Sequence, residues 1–192
     1  MTLAMVLATA YLLGSIPTSY IVVHLLAGRD VRTIGNGNPG AMNVWDNVGF
    51  GTALLVAIGD IGKGSAAVGF AYLMGVEDFG AVCAAFMAVV GHDYSVFLRF
   101  HGGNGTAAAI GGLLALVPGA TIPAAGISIV LFRLTDSKRF AGAVSLLLIP
   151  LFAYFIHYPD IRVLGALLLL TATAVKIVRF EGFTPERTRP PR

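Results

Sequence analysis

The chain has 192 residues, 56% of them hydrophobic and only 12% charged, with a formal net charge of +3 and a mean hydropathy of +0.81. A soluble domain carries about a quarter charged residues, so this composition reads as an all-α integral membrane protein forming one membrane domain over residues 1–192. The single cysteine, Cys83, sits in an apolar run, which argues against a disulfide framework or a cysteine metal site, and the basic residues carry no nucleic-acid signature.

A transmembrane helix takes ~20 mostly apolar residues. The first expected span runs near 2–26. It reads as a membrane segment and not a cleavable signal, because the apolar run is too long, no basic n-region precedes it and no small-residue cleavage site follows. Ser15 and Pro17 in LLGSIPTSY predict a kink there, with hydroxyls and neighbouring helices serving the freed backbone groups. The second span, near 52–75, contains Asp60 and Lys63, three residues apart and so on one helix face. Ionisable groups at membrane depth are costly and turn toward the bundle interior; this pair either pins helix packing or leaves Lys63 for a substrate. The third span, near 79–98, carries His92 and Asp93 toward one end. Residues 105–134 are too long for one helix and are broken at Pro118-Gly119, which predicts short spans near 105–117 and 119–134; a single tilted helix is the alternative. Spans near 140–157 and 160–178 follow, then a tail over 180–192. His24 and His157 fall at span ends and read as interfacial. No internal repeat pairs the spans, which counts against a transporter.

Charge sets the expected topology. Seven spans put Arg29, Arg32, Arg99, Arg133, Lys138, Arg139, Lys176, Arg179, Arg187, Arg189 and Arg192 on one face, and only Arg162, with Glu77, Asp78 and Asp160, on the other. The basic side is cytoplasmic, so the N-terminus is expected outside and the C-terminus in the cytoplasm. A six-span arrangement would place the basic loop 133–139 outside.

Two glycine-rich stretches, RTIGNGNPGAMN (32–43) and GHDYSVFLRFHGGNGTAA (91–108), emerge on that basic face. Glycine lets the backbone approach a ligand closely, successive N–H groups in such turns form an anion-binding nest, and a helix starting after the turn adds the positive end of its dipole. Both stretches are therefore candidate phosphate cradles, against the alternative of turns that hold no ligand. Gly35-Asn-Gly37-Asn-Pro-Gly40 fits G-x-G-x-x-G by letter. Membrane spans flank it where a dinucleotide site needs a βαβ unit and an acidic residue for the ribose.

At these residues the sequence resembles a known family. GSIPTSYIV (14–22), DVRTIGNGNPGAMNV (30–44), DIGKG (60–64) and GHDYSVFLRFHGGNGTA (91–107) are similar, in order along nearly the whole chain, to the motifs of the bacterial membrane acyl-phosphate:glycerol-3-phosphate acyltransferases of the PlsY type. The resemblance implies seven spans with the N-terminus outside, in a bacterial cell membrane, with the active face cytoplasmic. It implies transfer of a fatty acyl group from acyl phosphate to the 1-hydroxyl of glycerol 3-phosphate, yielding lysophosphatidic acid, with no metal and no cofactor. It implies His92, Asn43 and Asn104 as catalytic candidates. Gly35, Asn36, Gly37, Asn38, Gly40, Gly102, Gly103, Gly105, Arg32 and Lys63 would bind the phosphates. Partners are the two phosphorylated substrates, or another phosphorylated acceptor, and the lipid bilayer.

The sequence also departs from the family pattern. Asn36 stands for a usual serine, Met42 for a threonine, and Trp45-Asp46 for a Thr-Arg pair. His101 and Asn104 stand for two lysines, Phe140-Ala141-Gly142-Ala143 replaces a serine-containing stretch, and the usual C-terminal His and Asn are not recognisable in VRFEGFTPE (178–186). Each charge-assisted hydrogen bond to phosphate contributes ~1.5–3 kcal/mol, so these losses bear on the acceptor. A family member using another acceptor, or hydrolysing acyl phosphate, and a non-catalytic protein binding anionic lipid or a partner are the competing readings.

Overall fold

The computed structural model describes residues 2–180, and among them every regular element is helical. The first apolar segment is two helices, α1 (Leu3–Ser15) and α2 (Thr18–Ala27). The expected kink is a full break, because Pro17 has no N–H to donate and its ring excludes the preceding turn. A 3₁₀ turn over Val31–Thr33 leads to the short α3 (Ala41–Asn47), then α4 (Phe50–Leu73). Helix α5 (Asp78–Asp93) stops short of the expected 98, at Tyr94, and a 3₁₀ turn over Val96–Leu98 follows. The remaining helices are α6 (Thr106–Leu116), α7 (Pro118–Thr135), α8 (Lys138–Phe155) and α9 (Asp160–Phe180). The part of the expected tail beyond residue 180, with the end of VRFEGFTPE, lies outside the described residues. With α1 and α2 taken together, six segments are long and apolar enough to cross a membrane, and α6 is a shorter apolar helix.

Polar contacts define the two ends of the bundle. At one end Lys138, in the first turn of α8, pairs with Asp46 of α3. At the other, Arg162 near the start of α9 reaches Asp78 Oδ1 at 2.8 Å and the Leu116 carbonyl, the C-terminal end of α6, at 3.1 Å. The Gly119 amide donates to Tyr158 Oη at 3.0 Å. Helix α7 therefore runs between the two ends, and α6 ends beside Arg162. At 1.5 Å per residue, α6 is about 16 Å long, roughly half the hydrocarbon thickness. With its C-terminus held at the Arg162 end, its N-terminus stops inside the bundle, and the second glycine-rich stretch dips in to meet it.

The helices touch through their backbones. A Cβ on Gly14 would strike the Ala88 carbonyl, one on Gly91 the Tyr11 carbonyl, one on Gly64 the Ala108 carbonyl, and one on Gly111 the Ile61 carbonyl. The surrounding core is mostly small, with Ala10, Ala67, Ala84, Ala85 and Ala88 fully buried around Val6, Leu113 and Leu169. Large apolar residues such as Leu25, Leu73 and Leu147 point outward. In lipid there is little hydrophobic drive between helices, so close van der Waals approach of small residues carries association. Gly64→Val is expected to destabilise the protein by about 1–3 kcal/mol or more. Gly69→Val, on the same helix where nothing lies within 4 Å of the added carbon, should leave it near wild type. Thermal unfolding in detergent, followed by circular dichroism, checks both.

Candidate active site

The site starts from the break between α1 and α2. A helix that stops leaves carbonyls without donor partners, and here two side chains from other segments of the chain donate to them. Lys63 Nζ of α4 donates to the Ile16 carbonyl at 2.8 Å, and Ser95 Oγ donates to the Ser15 carbonyl at 2.5 Å. Ser19, in the first turn of α2, donates to the Pro39 carbonyl at 2.8 Å. The first glycine-rich stretch is thereby fastened over the break.

Lys63 also pairs with Asp60 Oδ1 at 2.9 Å, and the same oxygen lies 3.6 Å from His92 Nδ1. All three residues are at least nine-tenths buried. Lys63, Asp60 and His92 line a small cleft with Ser15, Pro39 and Gly103, so both glycine-rich stretches border it. Ser15 Oγ, Asp60 Oδ2 and His92 Nδ1 have no hydrogen-bond partner among the described residues. Buried polar groups without partners are rare and mark sites where a water or ligand completes the network. The sequence singled out Lys63 and His92 but not Ser15, Asp60 or Ser95 as cleft residues. The signal for Ser15 was the proline two residues on, which opens the helix beside it.

The glycine-rich stretches are built differently from the expected cradles. In the first, the amides that would form a nest are already bonded internally. Gly37 N donates to the Ile34 carbonyl at 2.9 Å and Gly40 N to the Asn38 carbonyl at 2.8 Å, while Asn36 N reaches Asn43 Oδ1 at 3.3 Å and Asn38 N reaches Asn36 Oδ1 at 3.0 Å. The second stretch does the same, with Gly102 N on the Asp93 carbonyl and Gly103 N on the His92 carbonyl, both at 3.1 Å. These amides cannot also hold a phosphate in this conformation. What the second stretch offers is close approach: a Cβ on Gly102 would strike the His92 carbonyl, and one on Gly103 would strike His92 Nε2. Gly105 turns the chain into α6 with φ +71°. Half-buried Asn104 precedes it, and the first-turn amides of α6 are those a helix leaves without internal acceptors.

Asn43, a catalytic candidate from the sequence, anchors the first stretch through its side chain. Its Nδ2 donates to the Ile34 and Asn38 carbonyls at 2.9 and 3.0 Å, and its Oδ1 accepts from Asn36 N and Asn47 Nδ2. An amide side chain has two donor protons and two acceptor lone pairs, and all four are used. Gly35, at φ +59°, passes directly over this side chain, where any Cβ would collide with Asn43 Oδ1 and Asn47 Nδ2.

The outlying charges are also accounted for. Arg32 forms a two-pronged pair with Asp30 at 2.7–3.1 Å and stacks over Tyr20, and that guanidinium holds the Asp30 carboxyl below its ordinary range. Arg32 is thus not among the cleft residues. Asp46, the acid in place of an expected arginine, pairs with Lys138, whose ammonium lies 4.6 Å from the centre of the Trp45 ring. It does not border the cleft. Nδ1 of His101 is 2.7 Å from the Arg99 carbonyl, which makes it the protonated nitrogen. Among the described residues no group of three or more His, Cys, Asp or Glu could hold a metal ion. Asn43→Ala removes four hydrogen bonds at once, and each buried group left without a partner costs about 1–3 kcal/mol. Residues 34–40 are expected to lose amide-exchange protection and become open to protease, while α4 and α5 keep theirs; hydrogen–deuterium exchange with mass spectrometry reads both.

Comparison with known proteins gives this arrangement its relatives. The glycerol-3-phosphate acyltransferase family profile matches residues 4–182. Glycerol-3-phosphate acyltransferase 1 of Dehalococcoides mccartyi is 32% identical over 180 residues, covering 91% of this chain and 86% of that protein. The glycerol-3-phosphate acyltransferase of Thermus thermophilus is 43% identical over 149 residues, covering 76% of this chain and 74% of that one. The crystal structure of PlsY, an integral membrane glycerol 3-phosphate acyltransferase, in its glycerol 3-phosphate form is similar with a TM-score of 0.83 at 27% identity, over 92% of this chain and 88% of that one. Its lysophosphatidic acid form gives 0.82 at 25% identity, with the same coverage. The family profile spans residues 4–182 and the PlsY backbone is similar over 92% of the chain, and on that ground the chain belongs to the glycerol-3-phosphate acyltransferase family.

Proposed function

We propose that this protein transfers a fatty acyl group from acyl phosphate to the 1-hydroxyl of glycerol 3-phosphate, releasing lysophosphatidic acid and inorganic phosphate in phospholipid biosynthesis. The observation that carries the reading is the cleft in which Lys63 and His92 meet between the two glycine-rich stretches. Two acceptors, Ile16 O and Asp60 Oδ1, occupy the Lys63 ammonium. An ammonium has three protons, so one remains for a substrate oxygen. Acyl phosphate is an activated mixed anhydride, so the site has mainly to position the two substrates and stabilise negative charge. Lys63 supplies that charge in a buried setting, and Asp60 balances it when no substrate is bound. The PlsY structures similar to this one are titled as glycerol 3-phosphate and lysophosphatidic acid forms, which supports phosphate-bearing ligands for this cleft.

The protein is a multi-pass membrane protein. In our reading it makes seven passes in a bacterial cell membrane, with the N-terminus outside and the cleft opening toward the cytoplasm. The run of α7 from end to end, the shorter α6 before it and the basic residues around the cleft end support this. The acyl chain would lie along the apolar outer face of the helices, in the bilayer.

A second reading keeps the cleft but changes the acceptor. The internal bonding of the Gly102 and Gly103 amides and the absence of a lysine at 104 favour an acceptor site built differently from the family pattern. Purified protein in lipid, given palmitoyl phosphate and labelled glycerol 3-phosphate, is expected to produce lysophosphatidic acid and phosphate in equal amounts. Phosphate alone would indicate another acceptor or hydrolysis, and neither product would favour a binding scaffold. Gly103→Ala pushes a carbon into His92 Nε2 and should lower turnover by about 10²-fold. Arg32→Ala, which breaks an exposed pair of small energetic weight, should leave turnover within about threefold.

A further inference from the structure

We propose that the groove between α1, α5 and α9, at the end of the bundle opposite the cleft, binds an acyl chain of a phospholipid with a primary ammonium headgroup, of the phosphatidylethanolamine type. Leu7 of α1, Phe79, Cys83 and Met87 of α5, and Ile161 and Leu168 of α9 are among the residues that line it, and its volume is about 450 Å³. No charged side chain enters it, and it shares no lining residue with the cleft.

The groove follows from the helix packing. Phe79, Cys83 and Met87 recur every four residues and form one stripe along α5. Helices α5 and α9 start at the same end, where Arg162 of α9 holds Asp78 of α5, so the apolar stripe of α9 from Ile161 to Leu168 runs beside that of α5. At Gly165 α9 lies against α5, where a Cβ would strike the Val82 side chain. From Phe79 to Met87 the stripe covers about 12 Å at 1.5 Å per residue. Half of the hydrocarbon core is roughly 15 Å. The groove therefore has the depth of one leaflet, and an acyl chain hanging from a headgroup at this end of the bundle fills it. In lipid, close van der Waals fit takes the place of hydrophobic drive, and the tail occupies a hollow that no side chain of the protein fills.

Charge selects the head. Glu77, the N-cap of α5, stands two residues before Phe79, and Asp160, in the first turn of α9, stands one before Ile161. Both are exposed. Arg162 is engaged by Asp78 and the Leu116 carbonyl and lies over the Tyr72 ring. The mouth of the groove is left acidic. It attracts an ammonium and repels a head of net negative charge. A carboxylate accepts hydrogen bonds, and a primary ammonium has three protons to give, whereas a choline head has none.

Native mass spectrometry tests this on purified protein given equal amounts of phosphatidylethanolamine, phosphatidylcholine and phosphatidylglycerol. One phosphatidylethanolamine should be retained, favoured over each of the others by at least about fivefold. Glu77→Gln combined with Asp160→Asn should reduce that preference to within about twofold, with a lipid still retained. Cys83→Trp fills the groove and should abolish retention. A further measurement needs no variant. Phosphatidylethanolamine with a photoreactive diazirine in its acyl chain should label wild-type protein chiefly within residues 79–87 and 161–168. Equal retention of the three lipids, undiminished retention in Cys83→Trp, or labelling spread over all the outer helix faces would overturn the proposal and leave ordinary bilayer contact. Palmitoyl phosphate or lysophosphatidic acid displacing the bound lipid from these two segments would overturn it as well, and assign the groove to the reaction. None of these readouts uses turnover, so they are independent of the acyl-transfer reading.

Discussion

Contact between helix backbones is the constraint on which the rest depends. Gly14 against Ala88 and Gly91 against Tyr11 bring α1 onto α5, and Gly64 against Ala108 and Gly111 against Ile61 bring α6 onto α4. In water such helices would be held by buried apolar area. In lipid the tails solvate leucine as well as another helix does, so closeness itself is the source of attraction. Closeness also sets the chemistry. Only with α4 packed beside α1 and α5 can Lys63 reach the carbonyl that Pro17 exposes at Ile16, and only then does the Asp60 carboxylate lie between Lys63 and His92.

The glycine-rich stretches have a double character that their sequence does not display. They look like ligand-binding nests, yet their amides are bonded within the protein, through Asn43 in one case and through the end of α5 in the other. This makes them rigid walls. A wall satisfied on its own terms does not need a ligand to hold its shape, and the polar groups that border the cleft are side chains, among them Lys63, His92 and the hydroxyl of Ser15. The departures from the family pattern at Asp46 and Trp45 fit the same picture, since both residues engage Lys138 away from the cleft.

Depth is the third element. Because α6 is short and its C-terminal carbonyl is held by Arg162, the second stretch lies below the end of the bundle and not on top of it. A cleft at that depth is walled by buried side chains from several segments. Burial strengthens the few charges within it, here one lysine and the carboxylate it pairs with.

The sequence by itself determined the material of this protein. Composition alone specifies a helical membrane protein, the proline at 17 and the pair at 118–119 locate the breaks, and the order of the glycine-rich motifs carries the family. These features are local, and local patterns are readable from spacing and residue type. It could not determine what each polar group faces. Whether an amide in a glycine-rich turn is open or bonded, whether Asn43 acts or supports, and whether Arg32 and Asp46 confront a substrate or a neighbour are decided by residues tens of positions away. Asp60 shows the difference most clearly. In sequence it is one half of an i,i+3 pair with Lys63, and only the packing of α5 onto α4 brings a histidine to its other side, because a hydrogen-bonding partner is chosen by distance in space and not by distance along the chain.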